Sequence, residues 1–147
     1  MVITMYEGVH NKKERALIDE ITDFVADRMF PRHVLEITYR IIPNLETKEG
    51  IQGDTIWEDS QYRPRDFCVR LNKGYKTKDL ITLIIHELIH VKQFLRGELK
   101  HEWVPSKGIY REIFKGKDTT NFKYMNKTSE KEAYKLQEVL YNEFINR

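Results

Sequence analysis

Cysteine is nearly absent from this chain of 147 residues: Cys68 stands alone, so neither an internal disulfide nor a thiolate zinc cage can form. Glycine and proline are also sparse, at seven and four, and no repeat or low-complexity linker divides the sequence. One domain over residues 1–147 is the simplest organisation. No apolar run reaches the length of a membrane span. Met1–Tyr6 is too short for a signal peptide and lacks the small-residue cleavage pattern. An excess of one charge is missing too, since 25 Lys and Arg face 23 Asp and Glu for a net charge of +2. That balance argues against a dedicated polybasic nucleic-acid binder. A soluble protein of a reducing, cytoplasmic compartment, with no membrane partner, is the expectation.

Enough is present to fold: 40% of residues are hydrophobic and 12% aromatic, beyond what a disordered chain carries. From about Asn11 to Met29, Leu17, Ile21, Phe24 and Val25 recur at helical spacing, and Pro31 closes the segment. Leu35, Ile37, Tyr39 and Ile41 then alternate with polar residues, the period of a half-buried strand that Pro43-Asn44 ends. Gly53-Asp54 reads as a turn into a short strand at Thr55–Trp57. A further alternating run puts Phe67, Val69 and Leu71 on one face, with Cys68 and Arg70 on the other. Between about Thr77 and Arg96 apolar residues cover most of a helix surface, which predicts a buried helix with Gly97 as its C-cap. Strands follow at Leu99–Val104 and Ile109–Phe114 around a turn at Pro105–Gly108. A Lys-rich loop then leads to a helix from about Ser129 to Ile145, burying Ala133, Leu136, Leu140 and Phe144.

The buried helix keeps one polar stripe: Asp79, Thr82, His86, His90 and Gln93. Polar groups in a core are costly unless they are satisfied or line a site. Within the stripe lies His86-Glu87-Leu88-Ile89-His90. Spacing of four on a helix sets both imidazoles on one face a turn apart, within reach of one metal ion. Glu87 sits one residue round, beside that position. Zinc lowers the pKa of water to about 7, and a neighbouring carboxylate can accept the proton during attack on a carbonyl. Two core histidines satisfied by neighbours are the bland alternative, but a buried glutamate between them raises its cost.

Ile85–His90, with Ser129-Glu130-Lys131-Glu132-Ala133-Tyr134 far downstream, resembles the gluzincin group of zinc metallopeptidases. In that group a glutamate on a later helix is the third ligand, and a small residue follows it by three positions. The order of elements resembles the minimal zincin domains of small bacterial and phage proteins. The resemblance implies an α+β, zincin-like fold: an N-terminal helix, a small, mostly antiparallel sheet, the buried motif helix, a hairpin and a C-terminal glutamate helix. It implies zinc held by His86, His90 and Glu130, with Glu87 as general base in hydrolysis of a peptide or protein. Tyr124, six residues before Glu130, resembles the tyrosine that donates to the oxyanion in several gluzincins. In one branch an acidic residue four after the third ligand supports a ligand histidine; Tyr134 stands there instead.

Other assignments compete at particular positions. Gln93 and Arg96 stand where the metzincin pattern needs Gly and His. His101 is in range to be the third ligand of an SprT-like protease, a branch whose members often act on DNA-bound proteins, but it lacks that branch's glycine and proline neighbours. Glu132 is nearly opposite Glu130 at about 100° per residue, and with Ser129 it reads as a capping box. Phe67–Leu71 is either a core strand or an edge that takes up an extended peptide. Basic and aromatic residues interleave from Tyr110 to Lys127, which fits a solvated site rim better than a nucleic-acid surface. His10 and His33 read as surface residues and Cys68 as a packing residue. Two further functions stay open: a non-catalytic, zinc-stabilised binding module, and a regulatory protease with a single partner.

Overall fold

The computed structural model describes residues 1–60 and 62–147. Its elements are β1 (Val2–Gly8), α1 (Lys12–Met29), β2 (Leu35–Ile42), α2 (Leu45–Glu49), β3 (Gly53–Trp57), β4 (Asp66–Asn72), α3 (Thr77–Leu95), β5 (Leu99–Val104), β6 (Ile109–Phe114), β7 (Lys117–Asp118) and α4 (Thr128–Ile145). A 3-10 turn at Tyr124–Asn126 precedes α4. The architecture is α+β, and no helix among the described residues is long and apolar enough to cross a membrane.

The main sheet has the order β1-β2-β4-β3. It departs from the expected, mostly antiparallel sheet: β1 pairs parallel with β2, β2 pairs parallel with β4, and only β3 runs antiparallel. For the first pair the cause is α1, which carries the chain from the end of β1 back to the start of β2; between β2 and β4 the chain returns through α2 and β3. A crossover of that length joins parallel strands. β1 escapes a periodicity reading because two of its three inward residues, Thr4 and Tyr6, carry hydroxyls, and only Val2 is aliphatic. Thr4 donates to Asp19 of α1 at 2.9 Å and Tyr6 donates to the same carboxylate, while Ile3 and Met5 face outward.

Leu35, Ile37, Tyr39 and Ile41 of β2 and Phe67, Val69 and Leu71 of β4 line the inner sheet face, each at most 2% exposed. α1 and α3 pack there, and α4 lies against α3 on the far side. α3 is therefore enclosed: all residues from Ile84 to Leu95 are buried. It ends as its sequence forecasts. Gly97 takes a left-handed φ of 70°, and the amides of Gly97 and Glu98 bond the carbonyls of Phe94 and Gln93 at 3.1 and 2.9 Å. β5 and β6 form the forecast hairpin, extended by β7, and Leu99 and Phe114 anchor it to the core.

Two local expectations fail for physical reasons, and one open alternative is decided. β4 lies between β2 and β3, so its backbone is already paired and Phe67–Leu71 is the core strand of its two readings; the edges are β1 and β3. Gly53 is not a turn residue but the first residue of β3. A Cβ there would stand 2.7 Å from the Arg70 carbonyl of β4 and 3.3 Å from a Leu83 methyl of α3, so the close approach to the β4 backbone, with α3 packed alongside, requires glycine. The Ser129–Glu132 capping box does not form: α4 starts at Thr128, with Lys127 as an N-cap that makes no side-chain bond. Glu132 instead meets Lys92 and Lys115 at 3.2 and 2.8 Å. With Lys92, Lys115 and the Gln93 amide all turned to it, the carboxylate has three partners where a cap would give it one.

Gly53→Ala is accordingly expected to destabilise the fold by about 1–3 kcal/mol through overpacking. Urea unfolding measures it, and an unchanged midpoint would show that Gly53 is not held this closely against β4 and α3.

Candidate metal centre

α3 presents His86 and His90, and α4 presents Glu130, where the two helices meet. Ala133, fully buried one turn after Glu130, has no side chain beyond Cβ to hold the helices apart. His86 Nε2 lies 2.9 Å from Glu130 Oε1, and His90 Nε2 lies 3.0 Å from both carboxylate oxygens. One ligand atom from each of the three residues falls within 4.8 Å of the others, and all three residues are buried. Two imidazole nitrogens and one carboxylate oxygen are the donor set of a three-ligand zinc site with a further position open. The chemistry of the residues present fits a first-row divalent cation.

The far side of each imidazole is held by a glutamine. His86 Nδ1 is 2.8 Å from Gln137 Oε1, and His90 Nδ1 is 2.8 Å from Gln93 Oε1. A glutamine oxygen only accepts, so both Nδ1 atoms carry protons and both Nε2 atoms face Glu130. Burial disfavours the charged forms of His90 and Glu130, yet their mutual contact prevails. The Glu130 hydrogen bond and the charges of Glu87 and Glu130 raise the His90 pKa to about 9, and the two histidines hold the Glu130 carboxyl well below its usual range.

Glu87 is 4% exposed and outside the donor cluster. Burial pushes its carboxyl pKa up, against the pull of His90 and His86. The Thr55 hydroxyl of β3 sits 2.9 Å from Glu87 Oε1 and 3.1 Å from the Glu87 carbonyl, which aims the carboxylate from the edge strand. Tyr124 is brought to the site, where its hydroxyl donates to Glu130 Oε1 at 2.9 Å. Burial, the Tyr134 hydrogen bond and the Glu130 charge keep it a phenol. Tyr134 stacks a tilted ring 4.6 Å from that of His86.

The remaining candidates lie elsewhere or do other work. His101 lines the same cleft but accepts from the Trp57 indole at 3.3 Å and faces Glu112 at 3.7 Å, outside the donor cluster. His10 meets Arg15 near Tyr6, and His33 precedes β2, its carbonyl accepting from the Met1 amine. Burial raises the Cys68 thiol pKa, which suits packing rather than nucleophilic chemistry. Much of the basic segment is paired with acids: Arg111 with Glu102, Lys115 with Glu132 and Lys127 with Glu112.

Sequence reading gave no role to Gln93, Gln137 or Thr55. Gln137 follows Glu130 by seven residues and Gln93 follows His86 by seven, so the spacing of one helical face could have flagged both. Thr55 is 32 residues from Glu87 and has no local signal. A cleft of about 860 Å³ opens over the cluster. Among the described residues, six carboxylates and three histidines line it, but no lysine or arginine, which sets it apart from the near-neutral chain. Compared with known proteins, the chain matches no family model, no curated protein and no solved structure.

The Thr55–Glu87 contact should register in a double-mutant cycle. With Thr55→Val and Glu87→Ala, a coupling energy of about 1–3 kcal/mol is expected in urea unfolding. A coupling of zero would remove Thr55 from the site.

Proposed function

We propose that this chain is a small zinc-dependent peptidase of gluzincin type, with His86, His90 and Glu130 as ligands and Glu87 as general base. One observation carries the reading. Three convergent donors share a buried site with a fourth group, the Glu87 carboxylate, that is excluded from the cluster and aimed by Thr55. A purely structural site has no use for a buried carboxylate beside its ligands.

Zinc bound there would supply a Lewis acid for the scissile carbonyl and an acidified water. The protein's own groups do the rest. Glu87 Oε1 is engaged by Thr55, which leaves Oε2 to accept the proton of the attacking water and return it to the leaving amine. Gln137 and Gln93 fix the two imidazoles by their Nδ1 protons. Tyr124, held as a phenol on Glu130, is a hydroxyl donor at the cluster for a developing oxyanion.

β3 supports an extended substrate. It is an edge strand whose one partner among the described residues is β4, and Gly53, Asp54 and Thr55 line the cleft. A peptide added along that edge would pass the cluster by main-chain pairing. The carboxylate-rich lining repels a phosphate backbone, which favours a peptide or protein over nucleic acid in this cleft.

The purified chain is expected to bind one zinc ion, and Glu130→Ala to weaken binding by orders of magnitude, as read by competition with a chromogenic chelator. Glu87→Gln should keep stoichiometric zinc and lose hydrolysis across a broad peptide library. Loss of zinc in Glu87→Gln, or no cleavage by the wild type, would overturn the catalytic reading. Unchanged zinc affinity in Glu130→Ala would overturn the ligand set.

A further inference from the structure

Behind His90 lies a chain of polar contacts, deeper than the ligands, that decides which nitrogen His90 offers. Gln93 is fully buried, and every polar atom of its side-chain amide is engaged. Its Nε2 donates to the Ser129 carbonyl at 3.0 Å and to Glu132 Oε1 at 3.1 Å. Both partners are pure acceptors. A flipped amide would set its own oxygen against two others, so Gln93 has one permitted orientation. That orientation turns Oε1 towards His90 Nδ1, at 2.8 Å. His90 must therefore donate from Nδ1, and Nε2 is the nitrogen left for Glu130 and a metal.

Glu132 is in turn fixed from two sides. Lys92 reaches Oε1 at 3.2 Å, and Lys115, from the turn between β6 and β7, reaches Oε2 at 2.8 Å. Lys92 has a second acid, Glu98, at 2.8 Å, so it keeps a counter-charge when Glu132 is replaced. Lys115 is more than half exposed, so its pair is worth little on its own.

We infer that Glu132 is a positioning residue for the metal centre: by accepting from Gln93 it locks the glutamine amide, and through it the ring orientation of His90. The inference rests on the metal reading for its purpose but not for its hydrogen-bond chain, which exists without metal. The property that matters is an acceptor oxygen at position 132, not the negative charge. Glutamine there can still accept from Gln93, whereas alanine cannot.

The test compares Glu132→Ala, Glu132→Gln and Lys115→Ala with the wild type. In the zinc-free protein, 15N NMR should show a His90 Nδ1 proton protected from solvent exchange. Glu132→Ala should speed its exchange at least tenfold, while Glu132→Gln and Lys115→Ala stay close to wild type. In zinc titrations Glu132→Ala should bind about 10–100-fold more weakly, the usual cost of losing an outer partner of a ligand histidine. Glu132→Gln should bind within a few-fold of wild type. Glu132→Gln behaving like Glu132→Ala would assign the effect to the lysine ion pairs and overturn the inference, as would a protected proton indifferent to Glu132→Ala. A wild type that shows the protected proton and its loss in Glu132→Ala, yet binds no zinc, would uphold the hydrogen-bond chain and refute the metal reading instead.

Discussion

Two imidazoles and a carboxylate meet in the interior where α3 crosses α4, and the surrounding structure is organised around the cost of burying them. Each such group loses its hydration and must recover it from the protein. His86 recovers it from Gln137 and Glu130, His90 from Gln93 and Glu130. The supports need supports of their own: Gln93 leans on Glu132 and on the Ser129 carbonyl, and Glu132 on two lysines. The polar material inside this helix pair forms one connected set, in which His86, His90, Glu130 and Gln93 each satisfy a buried neighbour.

The same constraint explains the placement of α3. A helix with its histidines on one stripe and apolar residues elsewhere needs cover on nearly every side. The inner faces of β2 and β4 supply it, together with α1, α4 and the Leu99–Phe114 end of the hairpin. The parallel sheet serves this arrangement by freeing β3 to run antiparallel at the edge, close above α3. Gly53 permits the approach and Thr55 uses it, which brings a strand with an open backbone edge beside Glu87.

Charge is distributed with equal consequence. Among the described residues no lysine or arginine lines the cleft, although several lie on the hairpin and loop beside it. They are turned to acids on neighbouring segments: Lys127 and Thr119 tie Glu112 to the approach of α4, and Glu112 faces His101, which accepts from Trp57 at the end of β3. The basic, aromatic segment is therefore a brace that joins edge strand, hairpin and glutamate helix around an acidic opening.

Much of this was legible in the residues alone. The helix at Thr77–Arg96, its Gly97 cap, the hairpin and the last helix follow from periodicity and turn chemistry, which act over a few residues. The pairing of His86 with His90 follows from helical spacing, and Glu130 beside Ala133 on one face from the same rule. Other features lay beyond any local pattern. Sheet direction depends on where α1 returns the chain, and β1 hides its inward face behind Thr4 and Tyr6. Glu132 looked like a cap because a cap is a local interaction; its true partners are 40 residues back along the chain and in a hairpin turn. Sequence by itself determined which groups are able to bind a metal, since ligand chemistry and helical spacing are properties of short segments. Only the tertiary structure decided which nitrogen each histidine presents and which carboxylate stays out of the cluster, because those choices are made by hydrogen bonds between segments that meet only when the chain is folded.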